Sequence, residues 1–307
     1  MITIPYGSIM ESQIKDKILL HVDKAVSGVY YVPENIEIIQ HGAFDGCNQL
    51  TSIVMNDNVK EIGEYAFSGC SSLMSVYLSS NLKELNAGQF ANCTSLKHII
   101  IPEGVKSIER YCFAGCSSLV SILLPHSLRY LGEYALKGTS IRGIYLPHSL
   151  EFVYPETFED CSELIDIIVD KDNPTYYDNT GVLFSRLEPN GCRLLKYPPA
   201  KNAAFYDIPY GTVELWENAF SKVKELKMLS FPETFQVFNG LEIQGTELQE
   251  IHFSHTNEPE LLFARAIPDV PHSCKFCVPQ GTIDDYMEGE YVEDWMQFKE
   301  ITYPDLP

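Results

Sequence analysis

The chain repeats itself every 23 residues, and this period excludes most folds before any other property is weighed. The segments AFDGCNQLTSIVM, AFSGCSSLMSVYL, QFANCTSLKHIII and CFAGCSSLVSILL align without gaps on Phe44, Phe67, Phe90 and Phe113. A fifth copy, ALKGTSIRGIYL, is one residue shorter and puts Leu136 at the Phe position and Thr139 at the Cys position. A sixth, TFEDCSELIDIIV, is anchored by Phe158. Four apolar columns keep the same register. Ile39, Ile62, Leu85, Ile108, Leu131 and Val153 precede the anchor, and Leu50, Leu73, Leu96, Leu119, Ile141 and Leu164 follow it. Ile53, Val76, Ile99, Ile122, Ile144 and Ile167 form the third column, and Met55, Leu78, Ile101, Leu124, Leu146 and Val169 the fourth.

One such copy cannot bury its own apolar face, so copies must stack and share a core. The stretch L-x-x-I-x-L ends with apolar residues two apart, the spacing of a short strand with one buried face. Pro102, Pro125 and Pro147 follow it and end it, because proline has no ladder donor. The A-F-x-G-C segment, with Gly46, Gly69, Gly115 and Gly138, reads as one helical or 3-10 turn followed by a reversal. The predicted fold is a repeat solenoid: a right-handed, β-rich leucine-rich-repeat superhelix of short strands and short helical or 3-10 turns.

Departures from the period mark the organisation. Residues 1–30 read as an N-terminal cap and 31–170 as the regular repeats, since Val32-Pro33 lies 69 residues, three periods, before Ile101-Pro102. Residues 171–204 break the period with two strand-like runs, GVLF and CRLLKY, around a Pro-Asn-Gly turn, as a β-hairpin insertion would. Degenerate repeats resume over 205–254, anchored by Phe220, with Leu226, Leu229 and Phe231 and then Leu248, Ile251 and Phe253 in apolar columns. Residues 255–307 read as a C-terminal cap of the same continuous domain.

The net charge of −20 works against nucleic-acid phosphates and anionic lipid surfaces as partners. Gly281 to Pro307 holds eight acidic residues and one base, Lys299, and reads as a solvated surface. No run of about 18 apolar residues could span a bilayer. The opening MITIPYGSIMESQIKDK has no basic segment followed by an apolar one and does not read as a signal peptide. Of the nine cysteines, Cys47, Cys70, Cys93, Cys116 and Cys161 occupy one repeat column, so they are expected to pack as small buried hydrophobes instead of pairing.

The unit I-x-x-I-G-x-x-A-F-x-G-C-x-x-L-x-x-I-x-L-P-x-x-L resembles the repeat of BspA-like leucine-rich-repeat proteins. Gly63, Ala66, Phe67, Gly69, Cys70, Leu73, Val76 and Leu78 match it in the second copy. The insertion resembles that family's N-P-x-Y…G-V-L-F element through Asn173-Pro174, Tyr176 and Gly181 to Phe184. The C-terminal CVPQGTIDDY…W is similar to the ending of gut Bacteroides members. The resemblance spans nearly the whole chain from about Lys17. It implies a cell-surface or secreted bacterial protein that binds a host matrix or cell-surface protein, with no catalytic residues and no cofactor. A cytoplasmic interaction module remains the alternative.

Within L-x-x-I-x-L, the position between the last two apolar columns points away from the core. Val54, Tyr77, Ile100, Leu123, Tyr145 and Ile168 occupy it, forming an apolar ladder without a charge; beside it run Ser52, Ser75, His98, Ser121, Gly143 and Asp166. A contiguous apolar face of this kind marks a contact surface, and the strand preference of Val, Ile and Tyr is the competing explanation. The candidate partner-binding residues are Tyr77, His98, Ile100, Leu123, Tyr145, Asp166 and Ile168. A weak metal candidate is His252-x-x-His255 with Cys274-x-x-Cys277, which has the ligand types of zinc but only half of a paired C-x-x-C motif. His126 and His148 repeat within L-P-H-S-L, which fits turn positions. No nucleophile elbow, phosphate loop or H-E-x-x-H motif is present.

Overall fold

A computed structural model of the chain describes residues 12–187, 189, 191–238, 243, 245–254, 262–263, 271–287 and 296–302. It contains two compact units, Met1–Glu163 with Val169–Pro174, and Leu164–Ile168 with Thr175–Pro307.

The first unit is a β-solenoid in which each repeat supplies two strands. The L-x-x-I-x-L strand is there, as Ser75–Tyr77, His98–Ile100 and Ser121–Leu123; the first pairs in parallel with Gln49–Val54, and the other two pair in parallel with each other. A second strand of two residues lies at the apolar column before the anchor, as Glu61–Ile62, Glu84–Leu85, Ser107–Ile108, Tyr130–Leu131 and Phe152–Val153. Four of these form their own parallel sheet, with Leu85, Ile108, Leu131 and Val153 in register. At the start, Ser12–Lys15 and Ile18–Val22 form an antiparallel hairpin, and Ser27–Tyr31 pairs in parallel with Gln49–Val54.

The expected helical turn at A-F-x-G-C is mostly absent. Pro155–Phe158 is a 3-10 helix, and the equivalent segments of the other copies are plain turns. The backbone gives the reason. Tyr65 and Gly69 both have positive φ, 54° and 69°, as do Tyr111 and Gly115, at 58° and 74°. Two left-handed residues four apart leave three between them, too few for a helix to propagate. The second of these columns explains its own composition: Gly46, Gly69, Gly115 and Gly138 alternate with Asn92 and Asp160, the residues that best tolerate this region.

The core runs between the two sheets. Phe44, Phe67, Phe90 and Phe113 stack ring on ring at 4.9, 5.2 and 5.4 Å, and Phe158 is equally buried. The cysteine column lies beside them, and none of the nine cysteines is in a disulfide. The Cys70, Cys93, Cys116 and Cys161 thiols donate to the carbonyl oxygens of Phe44, Phe67, Phe90 and Leu136 at 3.1–3.2 Å. Each thiol thus ties the turn of one repeat to the repeat before it, which explains a small weak donor at this position. Burial pushes Cys47 up to about 11 and Cys70 up to about 12.

In the second unit, Tyr176–Asn179, Val182–Arg186 and Cys192–Lys196 form antiparallel pairs, and Thr212–Leu215 joins the last of them in parallel. A five-stranded parallel sheet follows, ordered Phe205–Asp207, Met228–Phe231, Glu250–Phe253, Lys275–Pro279 and Gln297–Ile301. The last two strands lie in the stretch read from sequence as a cap. They extend the sheet because Cys274, Phe276 and Val278 alternate into the core as the earlier strand columns do. Phe220, Leu226, Leu229, Phe231, Leu248, Ile251 and Phe253 are all buried.

Candidate functional site

The side chains that face away from the core on the longer strands of the first unit recur at the same outward position from repeat to repeat. Strand alternation puts Ile53, Ile99 and Ile122 inside, so their neighbours stand outside. Tyr77 is 62% exposed, Ile100 68%, Leu123 59% and Tyr145 45%, values high enough to leave most of each side chain open to a partner. Parallel pairing places Val54 beside Tyr77, and Ile100 beside Leu123. No charged residue enters this row.

Two contributors were missed in the sequence reading. Tyr31 is 52% exposed and pairs with Val54, so it is an earlier rung of the ladder. Its signal was present, because Tyr31 lies three periods before Ile100 just as Val32-Pro33 precedes Ile101-Pro102. Met74 is 54% exposed and lies one position before the Ser75 column. Met74, Tyr77, His98, Ile100 and Pro102 line an open depression of about 510 Å³ where two adjacent strands meet. The thioether of Met74 and the His98 ring give this depression an adaptable apolar wall and a polar edge.

The other candidates sit in different surroundings. The Tyr145 hydroxyl donates to Asp170 Oδ2 at 2.6 Å, which holds the ring in place, lowers the Asp170 carboxyl and raises the Tyr145 phenol. Asp170 also accepts from the Asp172 amide, so this acidic turn serves as a local brace. Asp166 and Ile168 belong to the second unit. Ile168 is exposed, whereas Asp166 is paired with Lys201 at 2.9 Å. That ion pair makes Asp166 a structural contact in this unit, and Gly181 packs against the same carboxylate.

The described residues of the sequence-derived metal set part into two surroundings. Cys274 turns into the apolar core of the second unit, and burial pushes its thiol up to about 12. His255 lies outside the described residues. His252 and Cys277 do meet, as register partners on adjacent parallel strands. The third member is Glu250, whose Oε2 lies 3.0 Å from His252 Nε2. The carboxylate, imidazole and thiol donor atoms all lie within 4.8 Å of one another. Glu250 was missed from sequence because the proximity arises from strand alternation within Glu250–Phe253, which no C-x-x-C or H-x-x-H spacing encodes.

Comparisons with known proteins agree with this architecture. The family model described as a BspA type leucine rich repeat region matches residues 30–114, 87–180 and 201–261, which together exceed half of the chain. A leucine-rich cell surface protein from Faecalibacterium prausnitzii superposes with a TM-score of 0.63 and 21% identity, covering 90% of this chain and 79% of that one. The pneumococcal vaccine antigen PcpA superposes with a TM-score of 0.61 and 16% identity, covering 94% of this chain and 95% of that one. At these identities the likeness concerns the fold. No curated protein matches the chain in sequence. Leucine-rich repeats generally serve as protein-interaction scaffolds and are typically non-enzymatic. With its repeat columns, paired strands and model match taken together, the chain belongs to the BspA-type leucine-rich-repeat family.

Proposed function

We propose that the chain is a non-enzymatic protein-binding scaffold that engages a protein at a bacterial cell surface, or secreted from it, through the exposed ladder of its first unit. The observation that carries this reading is the ladder itself: Tyr31, Tyr77, Ile100, Leu123 and Tyr145 stay open to solvent on a strongly acidic chain. A row of large apolar side chains is costly to leave in water, and such patches mark contact surfaces. The two tyrosine types of contact, a flat apolar ring and a polar tip, suit an interface centre. The cell surface protein and the vaccine antigen that share the fold support the location.

The alternative is an interaction module inside the cell that uses the same face. The nine cysteines held as thiols favour it, since a reducing compartment keeps them in that state. Labelling intact cells with a membrane-impermeant reagent separates the two locations. A binding screen against purified host matrix proteins, with Tyr77→Glu/Ile100→Glu as the control, tests the function. The proposal expects saturable binding to at least one of them that the folded double variant loses. Binding that the double variant retains in full would move the site off the ladder.

A further inference from the structure

We propose that Glu250, His252 and Cys277 form a binding site for a zinc-class divalent cation on the five-stranded sheet of the second unit. The argument begins with strand alternation. Ile251 and Phe253 point into the core, as do Phe276 and Val278, so Glu250, His252 and Cys277 share the opposite face. That face ought to be open, yet His252 is 4% exposed and Cys277 0%. A polar imidazole and a thiol are therefore held together in a dry place, where an unmatched polar atom is costly.

His252 is left short of partners. Its Nε2 meets Glu250 Oε2 at 3.0 Å, while its Nδ1 is buried and makes no hydrogen bond among the described residues. Nε2 is the nitrogen that faces Glu250, so Nε2 offers its lone pair to the cation and Nδ1 then carries the ring proton. The donor set is chemically selective. One imidazole nitrogen, one thiolate sulfur and one carboxylate oxygen are the ligands that zinc takes, whereas calcium and magnesium take oxygen alone. Zinc bonds of roughly 2.0–2.3 Å place tetrahedral ligand atoms roughly 3.5 Å apart. Donors already within 4.8 Å reach that spacing by small side-chain rotations on a fixed backbone.

Binding replaces the Cys277 S–H proton, released to solvent, with the cation; the carboxylate and thiolate then balance its two charges. Lys275 and Lys299 stand in register with Glu250 and Cys277, and their exposed ammoniums can turn into solvent as the cation enters. Three protein ligands leave one coordination position for water or a further donor, the pattern of an open site and not of a closed structural one.

The test uses the full chain, stripped with chelator and titrated with Co²⁺ and then Zn²⁺. The proposal expects one equivalent of Co²⁺ to produce a thiolate-to-cobalt charge-transfer band that Zn²⁺ displaces. Cys277→Ser should abolish the band, and Cys274→Ser should retain it. Because substituting a buried residue can unfold the sheet, Glu250→Gln serves as the second variant. It keeps shape and packing, and should weaken Zn²⁺ by roughly tenfold or more, since even outer-shell changes cost that much. A wild-type chain that shows no band, or a band untouched by Cys277→Ser in a chain folded by circular dichroism, would overturn the proposal. Unchanged Zn²⁺ affinity in Glu250→Gln would do the same.

Discussion

At the scale of single residues, the repeat works because each column has one physical task. Phe67 is buried and stacks between Phe44 and Phe90, so it fills space for three repeats at once. Phe67→Ala should cost about 3–5 kcal/mol from the cavity it leaves. Urea denaturation checks this, and a cost below about 1 kcal/mol would mean that the ring stack does not carry the core. Glu37 has a different role. Hydrogen bonds from the Lys17 and Lys60 ammoniums hold its carboxyl down at about 2. A carboxyl lowered in the folded chain contributes stability that is present above its ordinary value and lost as pH falls through about 2. Wild type should therefore exceed Glu37→Gln slightly at neutral pH, and the gap should close on acidification across that window. The gap is expected to be small because the pair is open to solvent. The Phe and Cys columns were legible in the sequence because they recur with the period. Glu37 was legible only by half: Lys60 lies one period after it, in a column with Lys83, Lys106 and Arg129, whereas Lys17 stands 20 residues before it and off the period.

At the scale of elements, what could be read was the strand with a clear alternation, and what escaped was the strand without one. L-x-x-I-x-L shows apolar residues two apart, whereas Glu61–Ile62 and Ser107–Ile108 offer one buried residue each. Two residues cannot display a period, so the second sheet appears only once the copies are stacked. The helical reading of A-F-x-G-C failed for a similar reason. The left-handed column holds Tyr65, Tyr111 and Tyr134 beside Gly42 and Gly88, so glycine announces its positive φ in only two copies. Gly63 and Gly132 do announce something, namely close approach. A Cβ at Gly132 would lie 2.6 Å from the Arg110 backbone nitrogen, with Gly132 donating its own amide to Ile108 O. Neither chain can yield without disturbing the parallel sheet. Gly132→Ala should cost about 1–3 kcal/mol, the range for overpacking, and speed amide exchange at Tyr130–Leu131 and Phe152–Val153. An unchanged denaturation midpoint would show that the repeats are looser than these contacts require.

At the scale of the whole molecule, the solenoid converts a 23-residue period into a surface, because each outward position is copied at the next strand. The ladder was therefore legible from Val54 to Tyr145, and the same shift of three periods would have supplied Tyr31. The metal candidate was legible only in part. Spacing pointed to His252 and Cys277, but it also drew in Cys274, which alternation sends to the core. The division into two compact units had no sequence signal beyond the break after Val169. What separates a binding face from an ordinary sheet surface is energy, and that can be measured. The most direct test compares three chains against one partner from the screen: wild type, Tyr77→Glu/Ile100→Glu on the ladder, and Phe152→Glu, which is equally exposed on the other sheet. A hot-spot pair worth about 2 kcal/mol or more should weaken binding by roughly thirtyfold or more in the ladder variant. Phe152→Glu should bind as wild type does, and all three should unfold at nearly the same urea concentration. Equal affinity across the three chains, or a loss confined to Phe152→Glu, would contradict the assignment of function to the ladder.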